Sequence, residues 1–242
     1  LMIELPFSLV IPLGVFFAAM AGTRILIPIL KEEDALDRPN ERSSHVIPTP
    51  VGGGIAVVGS LFAAWVYMGV EIGPAGQPLI MMAGLGLILA GISWIDDMRG
   101  LSVGVRLMIH GATVASALLL VPLPGPLFGG FLPPVLDAAA TGLLWVWFIN
   151  LFNFMDGIDG LAGVEAIGIG IGIFVISRKM GFGDPAMLTA LSVVAATIGF
   201  LRWNWHPAKI FLGDVGSVPL GFVLGWLLLD MAARGAWAVA II

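Results

Sequence analysis

The chain has 242 residues, of which 59% are hydrophobic and only 11% charged, with a net charge of −5 and a mean hydropathy of +1.03. An ordinary soluble domain carries roughly 25% charged residues, so this composition excludes a soluble surface and implies a polytopic membrane protein. No cysteine is present, which removes disulfides and thiolate metal sites, and neither a P-loop nor a nucleic-acid signature is visible.

A membrane-spanning helix needs about 20 mostly apolar residues to cross the hydrocarbon and pair its own backbone. In chain order the apolar runs predict spans over Leu5–Leu30, Gly52–Val70, Leu79–Ile95, Val105–Val121, Leu136–Phe152, Leu161–Ser177, Pro185–Leu201 and Phe211–Met231. The first has Glu4 and no basic region before it, so it reads as a retained span rather than a signal peptide. Between the fourth and fifth lies a proline-rich stretch, VPLPGPLFGGFLPP (Val121–Pro134), expected to be re-entrant or to lie on the membrane. Within the sixth, IGIGIGIF (Ile167–Phe174) alternates with period two, but a span must be helical, and its small residues suit close helix packing. The expected fold is all-α, one transmembrane domain of about eight helices over residues 1–242, with cytoplasmic loops forming the functional site.

Basic residues set the orientation. Lys31, Arg38, Arg42, Arg99, Arg106, Arg202 and Lys209 fall in or beside the connections after spans one, three and seven, whereas Arg178, Lys179 and Arg234 fall on the opposite side. The larger group belongs on the cytoplasmic face. By the same parity Asp96 and Asp97, Asp156 and Asp159, and Asp214 all lie on that face. The acids of the first loop, such as Glu32, Glu33 and Asp34, read as solvated loop residues. The five later aspartates occupy short connections between apolar runs, where an acid is costly unless a cation compensates it. With oxygen donors, three histidines and no cysteine, Mg²⁺ is the expected metal, and it commonly borrows oxygens from a substrate phosphate. Carboxylates, Arg/Lys and glycine-rich turns on one face point to phosphate chemistry at the membrane surface.

Four segments carry these groups: RSSHVIPTPVGGG (Arg42–Gly54), SWIDDMRGLSVGVRLMIH (Ser93–His110), NLFNFMDGIDGLAG (Asn150–Gly163) and RWNWHPAKIFLGDVGSVPLG (Arg202–Gly221). In this order and on one side, they resemble the polyprenyl-phosphate N-acetylhexosamine-1-phosphate transferases, the bacterial glycosyltransferase 4 family. The resemblance implies transfer of an N-acetylhexosamine-1-phosphate from a UDP-sugar to undecaprenyl or another polyprenyl phosphate, releasing UMP. It would initiate a cell-envelope polysaccharide intermediate, as in cell-wall or O-antigen synthesis, at the cytoplasmic face of the bacterial inner membrane. The implied partners are the polyprenyl phosphate lipid, the UDP-N-acetylated sugar and a possible second copy in a homodimer; the implied cofactor is Mg²⁺, with Mn²⁺ as a substitute.

Residue by residue, the resemblance makes Asp214 in FLGDVGS a metal ligand, and Asp96 and Asp97 the essential acid pair. Asp97 is also expected at the metal. A phosphate monoester is mostly ionised at neutral pH, its second pKa being about 6, so a general base is barely needed and the pair is assigned chiefly to positioning and metal binding. Arg99 and Arg106 are expected to clamp phosphate oxygens, while His45, Asn153, Asp156 and Asp159 are expected at the substrate. For Asp214 a helix-capping role is compatible with metal binding. His110 and His206 receive no catalytic role, and Trp203 and Trp205 read as interfacial anchors.

The pattern departs from the family in one respect. Members usually continue past FLGDVGS through further spans and a histidine-containing cytoplasmic loop, which this sequence lacks, so the nucleotide-sugar site is expected to be incomplete. Two other classes compete: a non-catalytic polyprenyl-phosphate-binding homologue, and a cation-coupled transporter, which would instead place its acids near mid-span.

Overall fold

A computed structural model describes residues 5–39 and 47–237. It is nearly all-helical: α1 (Leu5–Glu32), α2 (Gly54–Ile72), α3 (Gln77–Arg99), α4 (Val103–Leu120), α5 (Pro134–Met155), α6 (Leu161–Met180), α7 (Asp184–Asn204) and α8 (Asp214–Ala233). By length and apolarity seven helical runs among the described residues could cross a membrane, with Gly54–Arg99 as one 46-residue run. A 3-10 turn at Gly73–Gly76 divides that run into α2 and α3, which pack on each other. The helices therefore match the predicted apolar runs to within a few residues. IGIGIGIF is helical, as its place in a span requires.

Two departures from the sequence reading stand out. First, Leu36–Asp37 (β1) and Thr49–Pro50 (β2) form a short antiparallel pair, a small exception to the all-α expectation. Second, Asp96 and Asp97 lie in the last turn of α3, not in a loop. The helix outlasts its apolar run because Gly100, at φ 69°, is the first residue to take up a reversing conformation.

α8 is the central element. It packs against α2, α3, α5 and α6, and nearly every side chain from Val215 to Leu229 is buried. A helix apolar on all faces belongs in such a core. Outside it, α1 packs along α7, and α7 along α6. Glycines let several of these helices approach closely. Gly170 of α6 meets Val194 of α7, with a Cβ there only 2.5 Å from the valine methyl, and Gly225 of α8 receives the Trp145 ring of α5. Trp145 also donates from Nε1 to the Phe222 carbonyl at 2.9 Å. At the far end, buried Asp137 accepts the backbone N–H groups of Leu127 and Phe128 at 3.0 and 2.9 Å, which ties the proline-rich stretch down onto α5.

Candidate functional site

The C-terminal ends of α1, α3, α5 and α7 and the N-terminal ends of α2, α4, α6 and α8 gather at one end of the bundle, and the five later aspartates gather with them. The frame is a backbone clip. Gly52 and Gly53 both donate to the Phe211 carbonyl, Gly54 donates to Leu212 at 2.9 Å, and Phe211 donates back to Pro50 at 2.8 Å. Val51 and Phe211 form a parallel bridge. The clip brings the starts of α2 and α8 so close that a Cβ on Gly54 would lie 2.2 Å from the Gly216 Cα. Only glycine fits at that crossing.

Two acids hold the N-terminus of α8. Gly213 occupies the cap position with φ 75° and supplies no side chain. The capping role comes instead from α3, where Asp97 accepts the N–H groups of Asp214 and Val215 at 3.3 and 3.2 Å. Asp156, just after α5, accepts the Gly213 N–H at 3.1 Å. Burial pushes the Asp156 carboxyl well above the usual carboxylate range; the Gly213 N–H opposes that shift, and the neighbouring negative charges of Asp214 and Asp97 add to it. Helix N-termini favour negative charge, so the clustering has a physical cause.

Asp214 itself points away from the cap. Its Oδ1 accepts from Asn153 Nδ2 at 2.7 Å, and the same amide contacts the buried Ser217 Oγ at 2.8 Å. Its Oδ2 lies 3.6 Å from Arg106, whose Nε is 3.2 Å from Asp96. One guanidinium therefore bridges the acid of α3 to the acid of α8. The short α3–α4 turn makes this possible: Asp96 also accepts the Leu101 N–H, Ser102 caps α4 by accepting from Val105, and Arg106 follows one turn later.

These groups line a cavity of about 170 Å³ among α3, α4, α5 and α8. Asp96, Arg106, Asn153 and Asp214 form its polar wall, and Leu89, Ile92, Leu107 and Val218 part of its apolar one. His110 and Asn150 also line it, with the imidazole Nδ1 3.4 Å from the amide nitrogen. Neither was singled out as a site residue from sequence, although their positions on α4 and α5, one helical turn inward from Arg106 and Asn153, carry the signal.

The remaining sequence-predicted residues lie elsewhere. Asp159 accepts from His206 Nδ1 at 2.9 Å and from the Ala208 N–H at 3.0 Å, so it organises the α7–α8 connection and does not line the cavity. Arg99 is exposed at the end of α3 and forms no ion pair among the described residues. His45 lies outside the described residues. A residue absent from the sequence reading, buried Asn204, links two loops: its Oδ1 accepts the Gly160 N–H at 3.0 Å while its Nδ2 donates to the Ile210 carbonyl at 2.9 Å.

The donor set suits Mg²⁺ in kind, being carboxylate and amide oxygen. Among the described residues no three acids or histidines converge as a ready cage. Magnesium typically uses one or two carboxylates and completes its shell with water and substrate phosphate, and the nearest candidates are Asp214 on the cavity wall and Asp97, which accepts the Asp214 N–H.

Glycosyl transferase family 4 matches residues 79–232, from the start of α3 to the end of α8. The chain belongs to that family. Among curated relatives of this family 4 chain, the decaprenyl-phosphate N-acetylglucosaminephosphotransferase of Mycobacterium tuberculosis (strain CDC 1551 / Oshkosh) is 35% identical over 217 residues, covering 78% of the chain and 52% of the relative. A probable undecaprenyl-phosphate N-acetylglucosaminyl 1-phosphate transferase of Bacillus subtilis (strain 168) is 32% identical, covering 88% and 61%. The phospho-N-acetylmuramoyl-pentapeptide-transferase of Deinococcus radiodurans is 32% identical, covering 79% and 62%. The family 4 chain thus spans roughly half to three-fifths of the length of these relatives.

Proposed function

We propose that the protein transfers an N-acetylhexosamine-1-phosphate from a UDP-sugar to a polyprenyl phosphate at the cytoplasmic face of a bacterial inner membrane, with eight spans holding the site. The relatives' activities support the reaction class. The observation that carries the reading is the cavity where Arg106 joins Asp96 to Asp214 at the end of an apolar bundle. Such a place admits a lipid phosphate from the membrane side and a nucleotide from the water side.

In the balanced reaction an oxygen of the lipid phosphate forms a bond to the sugar-bearing phosphorus of the donor. The bond from that phosphorus to the bridging oxygen breaks, and UMP leaves with the electron pair. Arg106 orients and neutralises phosphate oxygens, exchanging its carboxylate contacts for them. Asn153 fixes the Asp214 carboxylate, and Asp96 holds Arg106 in place. Mg²⁺, or Mn²⁺ in its stead, would be held by Asp214 and Asp97 and would supply charge neutralisation between the two phosphates. The acids stand at helix ends, which argues against a transporter that binds its cation at mid-span.

Incubation of membranes holding the full natural chain with labelled UDP-N-acetylhexosamines, polyprenyl phosphate and Mg²⁺ tests the proposal. Labelled polyprenyl diphosphate sugar is the expected product; its absence with every donor and acceptor tried would overturn the reading.

A further inference from the structure

A second polar cluster stands on the other side of the bundle, between α1 and α7, sharing no residue with the cavity. Trp203, in the last turn of α7, is half-buried and donates from Nε1 to the Met20 carbonyl of α1 at 2.9 Å, which fixes its ring. Three cations surround that ring: Arg202 with its Cζ 5.2 Å from the centroid, Lys209 with its Nζ at 5.6 Å and Arg24 with its Cζ at 5.8 Å. All three are exposed, and none pairs with a carboxylate among the described residues.

Arg24 is the telling member. It lies eight residues before the end of α1, roughly 12 Å down the helix axis at 1.5 Å per residue, with exposed Ile25 and Ile29 beside it. A guanidinium on the lipid-facing surface of a span is costly without an anion. One indole attracts each cation only weakly, and three like charges around one ring repel each other. Among the described residues, the cluster has no carboxylate partner.

We propose that Arg24, Arg202, Lys209 and Trp203 form a binding site for the phosphate headgroup of an anionic phospholipid. Basic side chains between helices, with a tryptophan at headgroup level, have the chemistry for such a ligand. Arg24 is exposed beside Ile25 and Ile29 on a helix long and apolar enough to cross a membrane, a setting that suits a lipid headgroup better than a soluble anion. Its residues lie on α1, α7 and the α7–α8 connection and none lines the cavity, so the proposal stands apart from the transferase reading.

The test reconstitutes the full chain in phosphatidylcholine vesicles containing a minor fraction of either brominated phosphatidylglycerol or brominated phosphatidylcholine. The Trp203→Phe difference isolates the fluorescence of Trp203. Quenching several-fold stronger with phosphatidylglycerol is expected. Removing one cation should raise the half-quenching fraction about fivefold, from roughly 1 kcal/mol per basic residue. Should Arg24→Gln fail to insert, the surface pair Arg202→Gln and Lys209→Gln provides the same measurement. Equal quenching by the two lipids, or a preference surviving in the double variant, overturns the site. Loss of the preference on adding inorganic phosphate at matched ionic strength assigns the cluster to a soluble anion and overturns the lipid assignment.

Discussion

Replacing Gly54 by alanine places one methyl group where α2 crosses α8. That Cβ would stand 2.2 Å from the Gly216 Cα, 2.4 Å from the Gly216 N and 2.9 Å from the Leu212 carbonyl oxygen, all of them backbone atoms with no rotamer to yield. Carbon atoms rest at about 3.5–4.0 Å, so the two helices must part by about 1 Å or more. That movement stretches the Gly54 to Leu212 hydrogen bond from 2.9 Å, at a net cost of about 1 kcal/mol, on top of about 1–3 kcal/mol for overpacking. Asp214 opens the displaced helix, and a misplacement of about 1 Å at a reacting centre can cost about 100-fold in rate. Gly59→Ala, on the same helix but with open space around its Cβ, is the control. Transferase rate and thermal denaturation of the membrane-embedded protein should both fall for Gly54→Ala and stay near the parent for Gly59→Ala. If the two variants are equally active and equally heat-stable, the backbone clip does not position the site.

Asp214→Asn keeps the shape and the Asn153 contact but removes a charge; the protein should remain folded in the membrane and lose Mg²⁺-dependent transfer, measured as labelled lipid. Arg106→Gln leaves Asp96 and Asp214 facing each other without their shared cation, and should lower kcat/KM by about 10- to 100-fold, the value of a charge-assisted contact of about 1.5–3 kcal/mol; undiminished turnover would remove Arg106 from phosphate binding. For Asp156, burial raises the folded-state pKa above the ordinary 3.8. The folded protein therefore holds a proton the unfolded chain has released, and this contribution to stability is complete below about 3.8 and fades as pH rises through the folded value. Asp156→Asn should flatten that pH dependence in thermal denaturation, and a slope unchanged by the substitution would contradict the buried, proton-holding carboxyl.

The positions of the helices were legible because hydrocarbon thickness dictates the length of each apolar run, and parity along the chain then placed Asp96, Asp97, Asp156, Asp159 and Asp214 at one end. Their individual duties were not legible. Asp97 and Asp156 hold backbone N–H groups of α8 across 118 and 57 residues of sequence, and pairings of that range leave no periodicity to read. Asp159, spaced three residues from Asp156, turns to His206 instead of the cavity. Asn204 escaped notice for the same reason, since an asparagine at the end of an apolar run looks like any helix end until the loops it joins are seen together. Nor could the central place of α8 be foreseen: a span facing lipid and a span facing protein are equally apolar.

That central place limits what can move. α8 is enclosed on every side, and its first turn is held by α2, α3 and the segment after α5, so Asp214 has a fixed address in the molecule. α4 differs: it packs chiefly on α3 and α5, and leaves Val103, Leu107, Met108, Leu119 and Leu120 exposed. Arg106 rides on that outer helix. The cavity between α4 and α8 thus has one wall enclosed within the bundle and one wall on its outside, and the outer one carries the positive charge.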